Sequence, residues 1–169
     1  VFAGTLLQNV RSMPGVESAA IASYVPLDIH GFPMASFTVE GRPGTDSRPD
    51  RALINFVTPD YFRTLGIPQV AGKDFVALND TTAVPQVIVN QEFVRRYPLG
   101  TDPVGQRIRS RNNSFVITGV VKNSFYDSFG EAPIPIMYVS YRDAPRASGE
   151  IHIRTRPGAE TLLAGSVRQ

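Results

Sequence analysis

Hydrophobic positions along this chain fall into short blocks whose period switches between that of a helix and that of a strand. Phe2, Leu6, Leu7 and Val10 recur at helical spacing, and Pro14-Gly15 stops the pattern, so a first helix is predicted over roughly Phe2 to Ser12. "VESAAIASYV" follows as a strand, Val16 to Tyr24, whose small residues suit close packing against helices. In "ASFTVEG" Phe37 and Val39 alternate with polar neighbours, which predicts a second strand. "GRPGTDSRPD" is turn-rich and charged, a surface loop, and "RALINFV" is the next strand.

That strand runs into "TPDYFRTLGIPQVAGKDF". Thr58 is expected as an N-cap, Pro59 at the first helical position, and Asp60 as a partner for the positive end of the helix dipole. Tyr61, Phe62 and Leu65 would be the buried side, Gly66 a left-handed C-terminal cap, and Pro68 a stop. A second strand–helix pair comes from Gln86 to Val89, capped by Asn90, with Glu92 at the helix start and Arg95 and Arg96 at its end. Next comes a hairpin, Gln106 to Arg111 and Phe115 to Val121, with its turn at Asn112-Asn113. "PIPIMYVSY" and Glu150 to Arg156 are further strands, and Ala159 to Arg168 is a last helix. The fold class is therefore α+β with many short strands.

Composition narrows the function. The chain has 169 residues with 42% hydrophobic content, enough for one ordinary domain or two small lobes. Seventeen basic residues against fifteen acidic ones leave a net charge of +2, which does not describe a strongly cationic nucleic-acid surface. No apolar run approaches a membrane span, and helical patterns run up to both ends, so the chain reads as a piece of a longer protein. Without cysteine there are no disulfides, thiolate metal sites or cysteine nucleophiles.

Candidate chemistry is sparse. Gly66 and Gly72 are separated by five residues and Lys73 is followed by Asp74, so the stretch fails as a phosphate loop. His30 lies in a loop-like "DIHGFP", and His152 in "IHIRTR" is expected to face solvent opposite Ile151 and Ile153. Asp60 and Asp74 flank one short element and could meet as an acid–base pair, although a dipole partner and a turn residue explain them more cheaply. "NDTTA" is a poor match to an aspartic protease triplet, which leaves a small periplasmic hydrolase as one alternative. A polyanion-binding module is the other, because Arg107, Arg109 and Arg111 share one strand face; no aromatics are interleaved, and a solvated face is the simpler reading.

Four segments, "VTPDYFRTLGIPQVAGKDF", "VIVNQEFVRRYPLGTDPVGQRI", "FVITGVVKNSFYDSF" and "PIPIMYVSY", resemble in order and spacing the MacB-like periplasmic core domain of FtsX-type ABC transporter permeases. The resemblance covers about Pro14 to Arg156. Its motif residues here, Thr58, Pro59, Asp60, Tyr61, Phe62, Gly66, Gly72, Asn90, Pro103, Gly105 and Gly119, are structural, with no catalytic, metal or cofactor role implied. It implies an incomplete ferredoxin-like porter lobe near the membrane, from residues 1–34 and 143–169, and a β-rich distal lobe with short helices, 35–142. The strand at each end should then pair antiparallel with the other, and the middle segment should have its own core. The implied setting is the periplasmic face of the bacterial inner membrane, and the implied role is non-catalytic transmission of ATP-driven movement. Implied partners are the protein's own transmembrane helices, a second permease copy, a cytoplasmic ATPase, and a periplasmic adaptor or lipoprotein, but no nucleic acid.

Overall fold

The computed structural model describes residues 2–27, 31–41, 49–126 and 130–159. In chain order these form α1 (Phe2–Arg11), β1 (Val16–Ala22), β2 (Met34–Val39), β3 (Asp50–Val57), α2 (Tyr61–Leu65), β4 (Gln69–Gly72), β5 (Gln86–Asn90), α3 (Gln91–Arg96), β6 (Arg107–Ser110), β7 (Asn113–Val121), β8 (Ile136–Ser140) and β9 (Glu150–Thr155). The architecture is α+β, mostly sheet with few short helices. The helix expected over Ala159 to Arg168 lies outside the described residues from Glu160 onward.

Six strands of the middle segment close on themselves. The hydrogen-bonded order β2-β6-β7-β5-β8-β3 is completed by a direct β2–β3 pairing. β2 uses both of its edges: the Pro33 carbonyl accepts from the Ile54 amide on one side, and the Glu40 amide donates to the Arg107 carbonyl on the other. The ring has an internal two-fold pattern, because exchanging β2 with β6, β3 with β7 and β5 with β8 leaves every pairing unchanged. The hairpins β2–β3 and β6–β7 are antiparallel. The long strand of each runs parallel to the third strand of the other half, β3 beside β8 and β7 beside β5. Parallel neighbours need long crossovers, and α3 with β6 lies between β5 and β7.

Strand alternation sends one set of side chains into the ring and the other outward. Phe37, Val39, Val87, Val89, Ile117 and Val139 fill the interior. Phe93 of α3 stacks on Phe37 at 4.8 Å between ring centroids, and Tyr97 meets the same ring edge-on at 4.9 Å. On the outer face α2 brings Tyr61 and Phe62 onto Leu53, Val57, Ile88 and Tyr138. β4, a strand not anticipated from sequence, pairs with the far half of β7.

β1 and β9 stand outside the ring. They pair antiparallel from Val16↔Thr155 to Ala22↔Glu150, the pairing expected between the two end strands. Only one register pair, Ala22↔Val57, joins them to β3. α1 lies on one face and buries Leu7 and Val10. One expectation needs correction. The middle segment has no separate core, since Leu7, Val10, Ala19 and Ile21 share one hydrophobic cluster with Phe37 and Val87. β1 occupies the same edge of β3 as β2 does, so its face continues the barrel wall. Ala20 packs in the cluster under α2, because Ala19 and Ile21 occupy the other face.

Candidate functional site

A set of cross-connections lies where the β1–β9 pair meets the barrel, along the end of β3 and around α2. Thr58 is fully buried and is not an N-cap. Its Oγ1 accepts the Ile21 amide at 2.8 Å, and its own amide donates to the Ile21 carbonyl at 2.9 Å. With the Ser23 amide donating to the Phe56 carbonyl at 2.9 Å, these bonds bracket the Ala22↔Val57 rung. A Thr-Pro-Asp string looks locally like a helix start, but an interstrand partner for the hydroxyl overrides the cap. Pro59 consequently precedes the helix, and its carbonyl accepts from Arg11 Nη2 at 3.3 Å.

Asp60 takes the N-cap position in a left-handed conformation, φ 69°, with no side-chain capping bond. Its amide donates to Asp74 Oδ2 at 2.9 Å, while its carboxylate ion-pairs with Arg11 at 3.0 Å and approaches Arg63 at 3.9 Å. The two aspartates therefore do not form an acid–base pair: one serves as a backbone acceptor and the other as an ion-pair partner. Burial raises the Asp74 pKa, opposed by the amides of Asp60 and Phe75 that bind the charged form. Arg11, at the end of α1, also donates to the Ala19 carbonyl at 2.7 Å, so one guanidinium ties α1, β1 and the α2 entrance.

Tyr61 and Phe62 are buried as expected from their spacing. The Tyr61 hydroxyl lies 3.2 Å from that of Tyr126, which donates to Tyr138 at 2.9 Å. Burial pushes all three phenols up, Tyr138 to about 12, so none ionises near neutral pH. Gly66 caps α2 at φ 72°, and a Cβ there would sit 2.9 Å from Arg154 Nη2. Arg154, from β9, donates through Nε to the Thr64 carbonyl at 2.9 Å. Local sequence carries no signal for these roles of Arg11, Arg154, Tyr126 and Tyr138, because each exists only through a distant partner.

The remaining motif residues lie away from this seam. Gly72 (φ 72°) and Gly119 face each other where β4 meets β7, and a Cβ on Gly72 would overlap the Thr118 carbonyl oxygen. Asn90 ends β5 and caps α3, accepting the Phe93 amide at 3.0 Å. The same Oδ1 accepts the Ile136 amide at 3.0 Å, and Nδ2 donates to the Ile134 carbonyl at 2.8 Å. Pro103 accepts the Gln106 amide at 3.3 Å, and Gly105 (φ 91°) donates to Ile117 at 2.8 Å, which sets the entrance to the hairpin. The hairpin turn is Arg111-Asn112, one residue earlier than expected, because Ser110 pairs with Asn113 and Arg111 adopts φ 54°.

Side chains proposed for chemistry are dispersed. Arg107 and Arg109 are exposed beside buried Ile108, and Arg109 lies 3.5 Å from Glu40, so the basic face is solvated and partly paired. His30 is outside the described residues. His152 is half-buried and not on an open solvent face: α2 covers its side of β9, and its ring stands edge-on to Tyr61 at 5.7 Å. Among the described residues no group of three His, Asp or Glu side chains could hold a metal ion, and no helix is long and apolar enough to cross a membrane.

The fold is similar to that of several solved structures. The periplasmic region of MacB from Actinobacillus actinomycetemcomitans is similar at a TM-score of 0.66 and 12% identity, over 96% of this chain and 69% of that one. The extracellular domain of the noncanonical ABC-type transporter YknZ from Gram-positive bacteria gives 0.63 at 11% identity, over 97% and 78%. A permease-protein domain from Porphyromonas gingivalis gives 0.59 at 17%, over 98% and 76%. At these identities the likeness establishes the fold. No curated protein sequence matches the chain. Residues 3–166 match the MacB-like periplasmic core domain, and the chain belongs to that family, the extracytoplasmic domain of MacB-like ABC transporter permeases.

Proposed function

We propose that this domain is a non-catalytic mechanical element that passes ATP-driven movement of the membrane helices to the periplasmic side, in export or in lipoprotein and cell-envelope processes. The division into a membrane-proximal unit, 1–34 with 143–169, and a distal unit, 35–142, belongs to the same proposal. The observation that carries it is the joint between them. A strand pair and helix from both ends of the chain connect to a closed barrel through a single β rung, Ala22↔Val57, a clamp of side chains around α2, and the hydrophobic cluster that Leu7, Val10, Ala19 and Ile21 share with the barrel. A closed ring resists deformation because every strand has two neighbours, so displacement of the end strands concentrates at this junction. Partners in this reading are the parent's own transmembrane helices, a second permease copy, an ATPase, and an adaptor or lipoprotein at the distal end.

The joint can be locked. Hydrogen bonds from Ser23 to Phe56 and from Thr58 to Ile21 flank the rung, which makes Ala22 and Val57 a non-hydrogen-bonded pair. Such pairs have Cα atoms about 4.5 Å apart, within disulfide range. With Ala22→Cys and Val57→Cys in a parent permease cleared of other reactive cysteines, oxidation should reduce ATP-coupled transport several-fold and reduction should restore it. Full activity after quantitative cross-linking would contradict the joint's role.

A further inference from the structure

His152 is half-buried in a position that disfavours a charged imidazole. It lies opposite Ala20 on the β9 face that α2 covers, and its ring is 82° to that of Tyr61. Nε2 is buried with no hydrogen-bond partner. The surrounding polar groups are engaged elsewhere. On α2 the Tyr61 hydroxyl lies against Tyr126, and Arg63 turns toward Asp60 and the Glu17 carbonyl. On β1 this side presents Ser18, Ala20 and Ala22, and the Ser18 hydroxyl accepts from Thr64 Oγ1 at 3.1 Å. On β9 itself Arg154 donates to the Thr64 carbonyl, and Glu150 is exposed.

We propose that His152 makes the seam between β9 and α2 acid-sensitive: in the imidazolium both ring nitrogens carry protons, so the buried Nε2 becomes an N–H with no acceptor on a positively charged ring, and the contact loosens. A buried, unpaired donor is unfavourable, and a buried cation more so. Burial holds the imidazole pKa below its usual value, and Glu150 opposes this only in part. The folded form therefore binds the proton less readily than the unfolded chain does, whose histidine titrates near about 6.5. The stabilisation is complete above that pH and is lost as the pH falls through and below it. An extracytoplasmic domain meets the pH of its surroundings. The inference needs only that the seam can open locally, and it stands whether or not the Ala22↔Val57 joint moves during transport.

Two measurements on the chain test it together. In an NMR titration of labelled histidine, the His152 ring should titrate below about 6.5. Hydrogen exchange of the β9 amides, corrected for its intrinsic pH dependence and referenced to β5, should rise several-fold from about pH 7.5 to about pH 5.5. His152→Phe, which keeps a ring against Tyr61, should flatten that rise, and His30→Ala should retain it. A His152 ring titrating at or above the ordinary value would overturn the proposal. So would β9 exchange with no pH dependence beyond that of β5, or an equal rise in His152→Phe. If His152→Phe does not fold, the titration and exchange of the unsubstituted chain decide alone.

Discussion

Truncating Asn90 to alanine should be among the most damaging single changes in the barrel, although the side chain is small and touches no ligand. Asn90 is fully buried, and its amide satisfies three groups: the Phe93 N–H at the start of α3, the Ile136 N–H of β8, and the Ile134 carbonyl. Loss of the cap alone costs about 1 kcal/mol. Leaving the buried Ile136 N–H and the Ile134 carbonyl unpaired adds about 1–3 kcal/mol for each group that water cannot reach. Because the three bonds share one side chain and one strand junction, the terms overlap, and about 3 kcal/mol is the expected total. That is a large fraction of the roughly 5–15 kcal/mol that holds a domain folded. Urea unfolding followed by circular dichroism gives the cost, with Asn90→Ser as the internal comparison: serine can restore the cap oxygen but cannot reach both strands, so it should recover only about 1 kcal/mol. A cost below about 1 kcal/mol for alanine, or a serine variant as stable as the parent, would refute the assignment of Asn90 as the link between β5, α3 and β8.

Gly66→Val should destabilise by about 1–3 kcal/mol in the same assay, because φ 72° penalises a branched Cβ and the new atom would crowd Arg154; an unchanged midpoint would mean the cap is not left-handed in solution. Isothermal titration calorimetry with Mg-ATP should show no saturable binding, since Gly66 to Asp74 lacks the glycine spacing and hydroxyl of a phosphate loop and folds instead as a helix cap followed by β4. Micromolar saturable heat would overturn this expectation.

What was legible in the sequence is what local chemistry encodes. Leu-Gly-Ile-Pro after an amphipathic turn can hardly be other than a helix end, and Asn90 before Gln-Glu-Phe is a helix start that nothing nearby contradicts. The pairing of the end strands followed from assigning both ends to one unit. β4 was missed because Gln69, Val70 and Gly72 are exposed and carry no alternation to read. Thr58 was misassigned because a capping signature and a buried interstrand hydroxyl look the same until Ile21 is in place. His152 was placed on a solvent face by a correct period of two; α2 packs over that face, which no pattern within "IHIRTR" reveals. Ring closure, and with it the two-fold pattern of the barrel, rests on β2 pairing with strands on both edges, one of them far along the chain.

Movement of the β1–β9 unit against an unchanged barrel can be measured directly by pulsed EPR distances in the parent permease, trapped with and without ATP. Labels replacing the exposed residues Phe2 on α1 and Val84 beside the barrel report across the joint, and labels replacing Arg107 and Val84 report within the barrel region. The account predicts that the Phe2–Val84 distance distribution shifts between nucleotide states while the Arg107–Val84 distribution stays fixed. Distributions that both remain unchanged, or that shift together, would contradict a rigid barrel driven through a single-rung joint.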